Sequence, residues 1–262
     1  MTVGWAGKIP ELTLLGMTKF YATVCLPPTA PRKIPQAVAA AMAPYNVNLT
    51  EEWNPVGHWD WWAIHSSPGN AYLVLPQHDG DRRLVTASTV PRRKAKLDGL
   101  GPLECYGGPR GLLDFDGMRE RAARAHDALL TAWTGLTAIH PPARPLADFL
   151  ARHEADPERY SAADAREEHL AQPLVQDVAQ RAVAGDPHFD TSFLLNDPVA
   201  YFAQEHEEAR LWSVRCAVPG FALVTLDGTW MDADTDGHWE QANRYLDALD
   251  AEAVVLDLLC HS

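Results

Sequence analysis

The chain has 262 residues, 47% of them hydrophobic, enough for one large domain or a domain carrying a substantial insertion. Its formal net charge of −13 repels nucleic acid and anionic membranes at long range. That disfavours passive binding to either, and leaves open a nuclease that grips phosphate through metal ions. No apolar run approaches the roughly 20 residues of a membrane-spanning helix.

The four cysteines, Cys25, Cys105, Cys216 and Cys260, are scattered with no C-x-x-C pair. They point to reduced thiols in a cytoplasmic protein, not to a disulfide framework or a thiolate zinc site. Residues 1–16 lack a secretory pattern and read as a disordered or extra N-terminal extension ahead of a domain over 17–262.

The first element is a buried strand at Phe20–Leu26, aromatic and β-branched and stopped by Pro27-Pro28. The Ala-rich segment Ile34–Ala43, with Pro35 suited to a first turn, predicts a short helix. Then comes the most unusual stretch, Trp53–His65, which holds four of the nine tryptophans together with His58, Asp60 and His65. Alternation over a strand His58–His65 sets His58, Asp60, Trp62 and Ile64 on one face and Trp59, Trp61, Ala63 and His65 on the other. Bulky groups on both faces predict a central strand. Strands are also expected at Ala71–Leu75 and Arg83–Thr89, with turns between them.

Residues 91–111 read as a Gly/Pro-punctuated linker whose basic run, led by Arg92 and Arg93, could contact an anion. From Asp114 to about residue 209 the apolar spacing becomes helical, with a break at His140-Pro141-Pro142 and a split at Pro173. The chain then returns to strand at Trp212–Val218, Phe221–Leu226 and Thr229–Met231. A helix near Trp239–Leu249 and a last strand at Ala253–Leu259 complete it. Strands at both ends around a helical middle predict an α+β fold. Its mainly antiparallel sheet, in one version ferredoxin-like, would be shared by the N- and C-terminal segments, with a helical insertion at about 114–209.

Three groups of residues could carry chemistry. His58 and Asp60, two apart on a strand, could serve as a base and its orienter, with Trp59, Trp61 and Trp62 as a stacking wall and Arg92 or Arg93 as an anion contact. Asp232, Asp234 and Asp236, followed by Gly237, match the opening of a calcium loop, so a divalent cation is conceivable there. Position twelve departs from the pattern, with Asn243 in place of the bidentate Glu. Asp257, Cys260 and His261 form the third group, and adjacent Cys and His on a strand point to opposite faces. No phosphate loop, dinucleotide fingerprint, nucleophile elbow or H-E-x-x-H motif is present, and no organic cofactor is expected.

Several separated pieces together resemble a group of uncharacterised proteins encoded by actinobacteria and their phages. They are Phe20–Pro27, Ala43–Asn46, Gly57-His-Trp-Asp-Trp-Trp62, Gly108–Met118, Phe221–Trp230 and Val255–His261. The group often continues its tryptophan motif with Ile-Gly-Gly-Arg-Trp, where this chain has Ile64-His65-Ser66-Ser67. The resemblance implies a shared fold and no activity. The leading functional expectation is a small planar or phosphorylated ligand in a Trp-lined pocket, with hydrolysis conceivable. The rival is an acidic, phage-type protein-interaction factor, and a metal-dependent nuclease or hydrolase at Asp232 is the third.

Overall fold

The computed structural model describes residues 19–49, 54–64, 71–86, 100–194 and 196–262. The expected N-terminal extension, Trp53, His65, Arg92 and Arg93 lie outside the described residues. The chain divides into two compact units, one built from the chain before Arg119 and after Val214, the other from Arg119–Val214.

The first unit holds β1 (Phe20–Leu26), α1 (Ile34–Met42), β2 (Trp61–Ile64), β3 (Tyr72–Leu73), β4 (Glu104–Cys105) and β5 (Gly107–Pro109). The helices α2 (Phe115–Thr137), α3 (Leu146–Ala155), α4 (Ala162–Leu170), α5 (Pro173–Ala184), α6 (Pro198–Phe202) and α7 (His206–Arg215) follow. The chain ends with β6 (Ala222–Val224), β7 (Trp230–Asp232), α8 (His238–Asp247) and β8 (Val254–His261). The α+β class is therefore observed.

The main sheet runs β2-β8-β1-β6-β7, and β5 adds to β8 beyond β2. Its organiser is β8. One edge of β8 pairs antiparallel with the whole of β1, from Phe20↔Cys260 to Leu26↔Val254. Its other edge takes β2 and β5 in series, Trp61–Ile64 against Leu258–His261 and Gly107–Pro109 against Val254–Leu256. N- and C-terminal segments thus share one mostly antiparallel sheet. The ferredoxin-like version is not confirmed, because the β1–β6 pair runs parallel.

Alternation along β8 divides the core in two. Val254, Leu256, Leu258 and Cys260 face a cluster with Ile34, Val38 and Met42 of α1, a four-residue spacing that keeps one helix face on the sheet. Val255 faces the opposite cluster, with Ala242 and Leu246 of α8 and Phe115 and Met118 at the start of α2. A helix covers each face of β8, so its continuous apolar run is what burial on both sides demands.

Gly107 is what lets β5 lie against β8. Its φ is +144°, and a Cβ there would meet the Val255 carbonyl oxygen at 2.2 Å and the Leu256 Cα at 2.7 Å. Only a residue without a side chain fits. This segment was read as linker, and the structure corrects it to strand. The Arg83–Thr89 strand is not formed over its described part, although the Val85 amide donates to Gly107 O and its carbonyl accepts from the Tyr106 amide.

The second unit is helical. Leu136, Leu174, Val178, Phe189 and Phe202 form its main cluster, and Trp133 stacks on Phe202 at 4.3 Å. Pro173 starts α5 at its first turn, which is why the long helical pattern splits there. Ser161 and Asp164 close a reciprocal capping box on α4. Asp197 caps α6 through the Val199 amide, accepts from the Leu146 amide at the head of α3, and pairs with the buried His169 of α4. One carboxylate therefore fixes three helices. The expected strand at Trp212–Val218 is overturned, since α7 runs to Arg215, with Glu207 and Glu208 in its first turn and Arg215 in its last complementing the helix dipole, and turns follow through Val218.

Candidate functional site

The tryptophan segment is held by backbone contacts before it becomes strand. The amides of His58 and Trp59 both donate to Tyr45 O, Val47 N donates to Trp59 O, and the Asn54 side chain donates to Pro44 O and Asn46 O. The Trp59 indole N–H donates to Met42 O at 3.0 Å, at the C-terminal end of α1. That contact adds a bond to a carbonyl at the helix end and satisfies the one polar atom of a buried indole.

A bend at Asp60 follows, and regular strand begins only at Trp61. The bend breaks the expected alternation: Trp59 and Trp62 both enter the α1 cluster, while Trp61 stays 48% exposed. Among the described strands β2 also lies at the edge side of β8 and is not a central strand covered on both sides.

A cleft of about 420 Å³ opens beside this segment. Ala39 of α1 and Ala43 just beyond its end form one side, Asn46 and Leu49 of the following loop another, and Trp59–Ala63 the third. Asp60 is the one charged group among these lining residues. Its amide donates to His261 O at 2.9 Å, and its Oδ1 lies 2.7 Å from His261 Nδ1. Both side chains are 38% exposed. The carboxylate thus orients an imidazole whose Nε2 has no hydrogen-bond partner among the described residues. Sequence reasoning placed His261 and Cys260 on opposite faces, as observed, yet missed this partnership. The missing signal was the register that sets the chain's end against Trp61.

His58 does not join Asp60. Its ring lies flat on Trp230, with centroids 4.4 Å apart and an interplanar angle of 1°. Burial lowers the His58 pKa, and the nearby Asp232 carboxylate offsets part of that. Two motifs far apart in the chain therefore meet here, the tryptophan segment and the acidic loop. Asp232 Oδ2 accepts the Trp230 indole N–H at 3.1 Å, and Oδ1 accepts from the Asp234 amide and the Thr235 hydroxyl. The Asp236 carbonyl accepts from Gln241, and Gly237 in left-handed conformation leads into α8. The acidic loop thus has the geometry of a turn into a helix. Among the described residues no group of three or more His, Cys, Asp or Glu side chains is arranged to hold a metal ion.

The third group separates as well. Asp257 points away from α1 into the other half of the core, where its Oδ1 accepts from Thr23 Oγ1 and Tyr72 Oη, each at 2.8 Å. Burial drives its pKa from the ordinary 3.8 up to about 7, against the two hydroxyl donors, which favour the charged form. Burial also pushes Cys105, Cys216 and Cys260 up to about 12 and Cys25 higher still. None of the four is a thiolate nucleophile at neutral pH.

No family model matches the chain, and no curated protein or solved structure is significantly similar to it. Among the described residues no helix is long and apolar enough to cross a membrane.

Proposed function

We propose that this protein binds a small planar molecule in the cleft between α1 and the Trp59–Ala63 segment. The observation that carries this reading is Trp61, a large rigid aromatic left 48% exposed on the wall of a 420 Å³ cleft while its neighbours Trp59 and Trp62 are buried. An indole face held by a paired strand stacks on a flat ligand with little entropy left to lose. Trp59 and Trp62 serve as the floor's packing, and Asp60 is the polar contact. Arg92 and Arg93, on which a phosphorylated ligand rested, fall outside the described residues, so the planar part of the expectation is the better supported. The four free thiols support a reducing, cytoplasmic setting.

Calorimetric titration with a panel of bicyclic aromatics tests the reading. At least one should bind, and Trp61→Ala should weaken it about tenfold or more, the worth of one aromatic stack. A panel with no binder above background would remove the proposal.

A second reading, docking of a protein with a basic surface, is favoured by the net charge of −13 and by the exposure of Leu49 and Val56 in the chain leading to the cleft.

A further inference from the structure

The charge and shape of the cleft bear on which planar molecules it takes. Most of the residues lining it are aliphatic or indole, polar atoms still make up about half of its exposed wall, and its one charged lining group among the described residues is the carboxylate of Asp60. His261 holds Oδ1 of that carboxylate at 2.7 Å, and Oδ2 has no hydrogen-bond partner among the described residues. The Asp60 side chain is 38% exposed on the cleft wall, and among the described residues no Lys or Arg is bonded to it, His261 being its one ion-pair partner. We infer that the ligand class is a planar organic cation, such as a quaternised heteroaromatic, an amidinium or a guanidinium. Trp61 offers the π-face that attracts a cation, and Asp60 offers the opposite charge at the same wall. The field of a chain carrying −13 works in the same direction, drawing cations in and repelling phosphates and carboxylates. His261 is a positioning residue: its Nδ1–H fixes the carboxylate's rotamer so that the second oxygen stays available.

This inference rests on the proposed planar-ligand cleft, and one experiment separates the two. Three bicyclic probes of matched size are titrated into the full chain at pH 7.5 and followed by NMR: N-methylquinolinium, quinoline and 1-naphthoate. The cation should bind about tenfold more tightly than the neutral ring, and the anion most weakly, a gap set by one cation–π contact plus one partly screened charge pair. In Asp60→Asn, which keeps the side-chain shape, the cation's advantage should fall several-fold to the part that Trp61 alone supplies. Equal binding of all three probes to the unsubstituted chain overturns the cation assignment and leaves the planar-ligand reading standing, and a cation preference undiminished in Asp60→Asn overturns the assignment of Asp60 as its counter-charge. Binding by none of the three overturns both.

Discussion

Asp257 is the residue whose chemistry is most at odds with its surroundings, a carboxyl in the core tied to Thr23 and Tyr72. Its folded-state pKa of about 7 lies above the ordinary 3.8, so folding favours the protonated form. The stability this contributes is complete below pH 3.8 and is lost as pH rises through about 7. The difference amounts to about 4 kcal/mol, taking about 1.4 kcal/mol per pH decade. Urea denaturation should therefore show Asp257→Asn gaining on the parent between pH 4.5 and 8. A difference between the two that stays constant across that range would show that Asp257 is ionised in the core. The residue scale also shows what the sequence conceals. Asp60 and His58 looked like partners because they are two apart, but a bend at Asp60 sends one toward His261 and the other toward Trp230. Only the tertiary register decides such a choice.

Elements with strong local signals were readable from sequence. The strand β1 spans the aromatic and β-branched run and ends where Pro27-Pro28 begin, and α5 starts at its proline because that residue suits a first turn. The strand β5 was not readable, since Gly107-Gly108-Pro109 has turn chemistry and becomes strand only by contact with β8. The β-prone residues of α7 misled in the opposite way, being overridden by a helix whose charges suit its dipole. The close approach at β5 makes a prediction at this scale. Gly107→Ala should cost about 3 kcal/mol or more, because its methyl would displace backbone of the central strand. Gly228→Ala, at φ +83° with nothing within 4 Å, should cost about 1 kcal/mol from the backbone conformation alone. Comparable thermal shifts for the two variants would contradict the packing account of β5.

Across the whole molecule, a sheet shared by the two ends of the chain was legible, because strand patterns sit at both termini and helical spacing lies between them. The cleft was half legible. The density of tryptophans marked the segment, but which indole stays exposed depended on the bend at Asp60 and on α1 receiving the Trp59 N–H. The same exposed indole bears the functional claim, so that claim is best tested through it. An indole N–H NMR spectrum of the ¹⁵N-labelled chain, with the Trp61 signal assigned from Trp61→Phe, should be titrated with N-methylquinolinium. The account predicts that the Trp61 resonance moves first and furthest, with the buried Trp59 following weakly and Trp212, 37% exposed on α7, unmoved. A titration in which Trp61 stays fixed while Trp212 or another indole responds would contradict it.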